Sequence, residues 1–221
     1  MRKLFMTTAA ALTLTGAAFA ETAATAATDL NVRSGPGVWH DVVGTLTAGQ
    51  DTTVLGCIES ANWCQVTAGE LTGWSYGDYL NVAQGDQVVA LYPNRQVVGV
   101  TVIEAPATDN TAQNTAVGGA TGAAMGALVG GPVGAVAGAV IGGTAGGSAT
   151  VVAPAEAVTT YVTSHEVAPV ILDGEVVVGA GVPDSVTIYD IPDQPDYRYA
   201  VINRQTVLVN PDSRQIVYIY R

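Results

Sequence analysis

The chain has 221 residues, a mean hydropathy of +0.32, and 19 acidic against 8 basic side chains, which gives a formal charge of −11. Such a balance argues against nucleic acid as a partner, because phosphate backbones and anionic lipid headgroups repel an acidic surface. With two histidines and a single lysine (Lys3), the chain is also poor in the usual general base and in the Schiff-base nucleophile.

Residues 1–20 have the three parts of a secretory signal: Arg2 and Lys3, the apolar stretch from Leu4 to Ala18, and Ala18-Phe19-Ala20 as a small-x-small cleavage site. A retained anchor is the alternative, but the apolar stretch is short for a bilayer-spanning helix. Cleavage before Glu21 leaves six arginines against nineteen acids, a formal charge of −13 because Arg2 and Lys3 are gone. An exported chain with two cysteines is expected to carry one disulfide, with two free buried thiols as the alternative.

Residues 21–82 form the first unit. From Asp29 to Leu80, short apolar runs are broken by Gly, Pro, Asn and Asp, which predicts a small all-β barrel or sandwich. Gly35-Pro36-Gly37 turns the chain after a strand containing Leu30 and Val32, Gly44 and Gly49 punctuate the next hairpin, and Trp63, Val66 and Trp74 supply bulk for the core. Cys57 and Cys64 flank the stretch IESANW, which connects adjacent strands, so a bridge there would close a short loop. The motif LNVRSGPG (30–37) is followed in order by VVGTL (42–46), Gly49, VLGC (54–57), NWCQV (62–66), GW (73–74) and YL (79–80). This series resembles bacterial SH3-like domains. The resemblance implies a binding module for cell-wall peptides or protein segments. Trp39, Tyr76 and Tyr79 are the aromatic contact candidates and Asp41 the candidate for a cationic group, unless these rings merely complete the core.

In residues 83–105, the run GDQVVALYPNRQVVGVTVIE predicts a β-hairpin extension turning at Tyr92-Pro93-Asn94-Arg95. Residues 106–117 read as a Thr/Ala/Asn-rich linker. From 118 to 147 glycine falls on every fourth position: Gly118, Gly122, Gly126, Gly130, Gly134, Gly138, Gly142 and Gly146. A helix places these in a slowly rotating stripe that admits close backbone approach, and the run resembles the glycine-zipper segments of bacterial envelope proteins. Pro132, just after Gly130-Gly131, favours a helical hairpin over one long helix. Each half would reach about 21 Å against a hydrocarbon core of about 30 Å. Membrane association or self-association is therefore expected rather than a full span, with a hairpin packed on protein and a disordered linker as the rivals.

After a linker at 148–170, residues 171–221 predict a small β-rich domain. Its strands TVLV and QIVYIY are joined by Asn210-Pro211-Asp212-Ser213, and YRYAVIN pairs with them through a tight turn at Asn203-Arg204. Such a meander needs a cover, either from SVTIYDI or from the hairpin beside the barrel. Val178-Gly179 with Val182-Pro183, Tyr189 to Pro192, Tyr197 with Tyr199, and VLVNPDSRQIV resemble a C-terminal domain of exported Gram-negative proteins. That family is known only as domain of unknown function 1236, and Asn210 stands where it usually has an acid. VLVNPDSRQIV also echoes VVALYPNRQVV, which two independent hairpins with similar turns would explain equally well.

Three catalytic motifs are missing: there is no His-Glu-x-x-His, no Walker lysine and no Gly-x-Gly-x-x-Gly. Ser164-His165-Glu166 has triad residue types, but sequence neighbours are not expected to face one another. Asp190, Asp193 and Asp196 recur every third residue without the spacing of a calcium loop, so no metal or cofactor is expected. The whole reads as a multidomain, mainly β protein: an SH3-like β-barrel, a central Gly/Ala-rich helical hairpin, and a small C-terminal β-rich (α+β) domain. The expected function is that of a non-enzymatic protein exported to the Gram-negative periplasm or its membrane face. It would bind a cell-wall peptide or envelope protein, with residues 118–147 serving membrane association or homo-oligomerisation. A soluble periplasmic binding protein and a membrane-perturbing, pore-forming oligomer are the alternatives.

Overall fold

A computed structural model describes residues 21–104 and 153–221; the expected leader at 1–20 and the eight glycines from Gly118 to Gly146 lie outside the described residues. The architecture is mainly β. Eight strands build the first sheet: β1 (Thr22–Ala26), β2 (Leu30–Arg33), β3 (Val42–Leu46), β4 (Asp51–Cys57), β5 (Trp63–Ala68), β6 (Leu71–Tyr76), β7 (Leu80–Gln84) and β8 (Gln87–Ala90). Their spatial order is β3-β2-β6-β5-β4-β1-β7-β8, and the curled sheet encloses Leu30, Val32, Leu46, Val54, Val66 and Leu80. A 3-10 turn at Gly77–Tyr79 links β6 to β7. Cys57 and Cys64 sit opposite each other in the β4/β5 register and are disulfide-bonded, as their placement across the IESANW connection predicts.

Residues 83–105 differ from the expected hairpin. The hairpin comes earlier, β7 pairing with β8 around Gly85-Asp86, and it is continuous with the barrel sheet. Tyr92-Pro93-Asn94-Arg95 lies instead inside a helix, α1 (Leu91–Val98). Proline turns chains, but it is equally at home in the first turn of a helix, where its missing N–H costs nothing. Asn94 reinforces that turn by donating from Nδ2 to the Ala90 carbonyl at 2.8 Å.

The second sheet has the order β12-β11-β10-β9, from β9 (Tyr189–Asp190), β10 (Arg198–Ile202), β11 (Gln205–Val209) and β12 (Ile216–Ile219). The β10/β11 turn is the two-residue Asn203-Arg204, with φ of 49° and 68°, the left-handed pair that suits the twist of a tight hairpin. Part of the expected 148–170 linker is a helix, α2 (Glu156–Ser164). Its Val158 and Val162, four residues apart, pack on Tyr199 and Leu208 of the sheet and on Ile191 just after β9. The meander's other face, including Ala200, Ile202, Val207 and Ile219, joins one continuous apolar core with the barrel. α2 thus covers one side, and on the other the sheet shares its core with the barrel and with Val176, Val177, Ala180, Val182 and Val186 of the run leading to β9. No helix among the described residues is long and apolar enough to cross a membrane.

Candidate functional site

The seam between the two domains starts from the alternation of β2. In Leu-Asn-Val-Arg, a period of two sends Leu30 and Val32 into the barrel and Asn31 and Arg33 to its outside. On a lone barrel those two polar residues would be wet, yet Asn31 is 0% and Arg33 2% exposed, because the C-terminal domain covers them. Glu175, 0% exposed, meets them there. Arg33 donates from Nε to Glu175 Oε2 at 2.5 Å and from Nη2 to Oε1 at 2.6 Å, a two-pronged pair. Asn31 Nδ2 at 3.1 Å and the Val176 amide at 2.9 Å also donate to Oε1, so the carboxylate is fully engaged. Asn31 Nδ2 additionally lies 2.9 Å from Gln205 Oε1.

Arg33 also reaches into its own loop. Its Nη1 donates to the carbonyls of Val38 at 3.0 Å and His40 at 2.8 Å, which holds the 34–41 loop in place. On the opposite side, buried Asn203 accepts from the Leu172 amide at 2.8 Å and donates to the Gly174 carbonyl at 3.0 Å. One arginine and one turn asparagine therefore position two facing segments, 34–41 of the barrel and 172–175 of the second domain. Further out, Arg204 donates to Asp41 Oδ1 at 3.0 Å and to the Trp39 carbonyl at 3.1 Å. Arg221 lies 3.7 Å from the Asp29 carboxylate and donates to Asn31 Oδ1 at 3.4 Å.

Those segments border a groove of about 420 Å³. Pro36, Val38, Trp39, Ile58, Ala61, Asn62, Trp63 and Tyr76 line it from the barrel, and Asp173 and Gly174 from the C-terminal domain. Gly37, at φ +143°, lets the Trp39 indole fold back over it; a side chain at 37 would occupy the space of that ring. Trp63 and Tyr76 meet edge to face at 5.5 Å. Burial, and after it the Asp78 carboxylate, push the Tyr76 phenol up, so it stays a neutral hydroxyl. His40 is pushed below its ordinary value by burial first and by the Arg33 charge second, with Asp41 opposing. Among the described residues, the buried side-chain polar atoms without a hydrogen-bond partner are Trp39 Nε1, His40 Nε2 and Asn62 Oδ1. All three belong to the loops that edge this groove. Unsatisfied polar atoms are uncommon in a folded interior, and they concentrate where a structure is built for something other than stability.

The residues singled out from sequence fall in different places. Trp39 and Tyr76 line the groove. Asp41 is 76% exposed and ion-paired with Arg204 at the edge of the seam. Tyr79, 3% exposed, lies in the core beneath Tyr76, 6.0 Å between ring centres. Ser164 and His165 do come together, contrary to the expectation for neighbours, with Oγ 3.1 Å from Nδ1. Both are turned toward helix carbonyls, however: Ser164 Oγ donates to the Thr160 carbonyl at 2.7 Å, and His165 Nδ1 lies 2.9 Å from that of Tyr161. Donating Nδ1–H to Tyr161 leaves that nitrogen unable to accept the serine proton, so the arrangement closes a helix end. Asp190 forms an ion pair with Arg198, and no cluster able to hold a metal ion occurs among the described residues. Sequence reasoning missed Asn31, Arg33, Glu175 and Asn203. The one available signal was an acid, Glu175, heading the apolar run EVVVGAGV.

Two family models match parts of the chain. Residues 28–81 match the model of the bacterial SH3 domain, and residues 161–221 match that of a domain of unknown function, DUF1236. The second match begins inside α2, ten residues before the boundary expected from sequence. No curated protein and no solved structure matches the chain.

Proposed function

With an SH3 domain and a DUF1236 domain sharing one cleft, we propose that this is a non-catalytic binding protein of the cell envelope, exported by its leader, whose groove takes a short peptide segment of the wall. The observation that carries the reading is the groove itself: three aromatic rings on apolar walls, edged by polar atoms that the fold leaves without partners. Aromatic surface with a few polar groups is what an extended peptide requires. Neither matched family is a catalytic one, in keeping with a binding role.

Sedimentation of residues 21–221 with purified peptidoglycan tests the proposal. Wild-type protein is expected in the pellet and the Trp39→Ala variant in the supernatant. A wild-type protein that stays in the supernatant contradicts wall binding. The segment 118–147 is proposed to attach the protein to the periplasmic face of a membrane or to a second copy of itself. Full release by carbonate, together with a monomeric mass, would contradict that part.

A further inference from the structure

We infer that the C-terminal domain is the specificity wall of this groove, and that Asp173 selects a peptide whose side chain ends in a free cation on an aliphatic stem. The inference rests on the groove being a peptide site, and names the chemistry of its occupant.

Charge bookkeeping across the described residues supports it. Every arginine after the leader already has an aromatic or acidic partner: Arg33 with Glu175, Arg198 with Asp190, Arg204 with Asp41, Arg214 with Asp184, Arg221 with Asp29, and Arg95 stacked 4.2 Å over the Tyr92 ring. Asp173 has no such partner. Its carboxylate is exposed in the groove wall and makes no salt bridge or hydrogen bond among the described residues. The chain has no lysine after Lys3 that could supply one. An acid facing aromatic rings across an apolar floor is the constellation that favours a cation: the carboxylate meets the charge, the ring faces attract it, and Val38 and Ile58 accept the stem.

Asp173 is also built into position. The residue before it is fixed by Asn203 through the Leu172 amide, the residue after it by Asn203 through the Gly174 carbonyl, and the next by the buried pair of Glu175 with Arg33. An exposed acid on a free loop has no such support. Arg33 fixes the Trp39 side of the groove through Val38 and His40, so carboxylate and indole are held by the same guanidinium.

Titration of ¹⁵N-labelled residues 21–221 with acetyl-Ala-Lys-Ala-amide and with its Nε-acetyl-lysine counterpart tests this, the readout being the Trp39 indole N–H resonance. The lysine peptide is expected to bind about two- to fivefold more tightly than the acetylated one, the range of an exposed charge pair, and salt is expected to erase the difference. The variant Asp173→Asn, changed at an exposed position, is expected to bind both peptides alike. Equal affinity of the wild type for the two peptides, or a preference that survives in Asp173→Asn, overturns the inference and leaves the groove as a peptide site. A Trp39 resonance unmoved by either peptide overturns both readings.

Discussion

Exchanging Glu175 for glutamine keeps the side chain's shape and removes one charge from a pair whose members are 0% and 2% exposed. The wild-type carboxylate accepts four hydrogen bonds, two from Arg33 and one each from Asn31 and the Val176 amide. An amide has only one oxygen, so its NH2 must face another donor, and the Arg33 guanidinium is left buried without a counter-charge. Removing one member of a buried pair costs about 3 to 5 kcal/mol. That is a large part of the ~5 to 15 kcal/mol that holds most domains folded. All three tryptophans, Trp39, Trp63 and Trp74, lie in the barrel, whereas position 175 lies in the other domain. Urea unfolding followed by tryptophan emission therefore registers the loss only if the domains stand or fall together. The Glu175→Gln midpoint is expected to drop by the equivalent of that energy. The double variant Arg33→Met, Glu175→Leu removes the unpaired charge but leaves the Val38 and His40 carbonyls and the Val176 amide without these partners, so it is expected to regain only part of the loss. A drop below about 1 kcal/mol, the value of an exposed pair, would refute the idea that this contact locks the domains.

Three further outcomes are expected from the same measurement. Reducing the Cys57–Cys64 bridge, which spans a sequence separation of 7, is expected to lower stability by about 2.5 kcal/mol on the loop-entropy model, and two alkylatable thiols in the untreated protein would contradict the bond. At Gly73, a methyl group would lie 2.5 Å from the Arg33 carbonyl oxygen and 2.6 Å from Val32 Cγ1, so Gly73→Ala should push β6 away from β2 and cost about 1 to 3 kcal/mol, whereas Thr72→Ala on the exposed side should be near neutral. His40 is held below 6.5 in the folded state, so folding favours its neutral ring: its contribution is intact above pH 6.5 and is lost as pH falls from there through the lowered value. The stability advantage of wild type over His40→Gln should therefore shrink on acidification, and parallel pH curves would contradict this.

The barrel was legible because its signals are local. The polar–apolar alternation of Leu30 to Arg33, the turn at Gly35-Pro36-Gly37 and the bulk of Trp63 and Trp74 each depend on a few neighbouring residues. The Asn203-Arg204 turn was legible for the same reason. Two helices were not. Around Pro93 the signature of a turn and that of a first helical turn coincide. In α2 the Thr/Val content argues for strand, while the apolar spacing of Val158, Tyr161 and Val162 argues for helix, and packing on the second sheet decided for the spacing. The candidate site was half legible. Trp39 and Tyr76 announced themselves as aromatics beside turns, but Arg33 and Glu175 are separated by 142 residues and nothing in either local pattern points to the other. Alternation shows that Asn31 and Arg33 face outward; it cannot show what lies outside.

The central claim is that the SH3 and DUF1236 domains are one folding unit whose seam builds the groove. Hydrogen exchange of residues 21–221 in mild denaturant, resolved by peptide mass, tests it most directly. The amides of β5 in the barrel and β11 in the C-terminal domain are predicted to open with the same free energy and the same dependence on denaturant, as members of a single cooperative unit do. Opening of β11 at markedly lower free energy, with β5 still protected, would contradict the account: the domains would then be independent beads and the groove an accident of their contact.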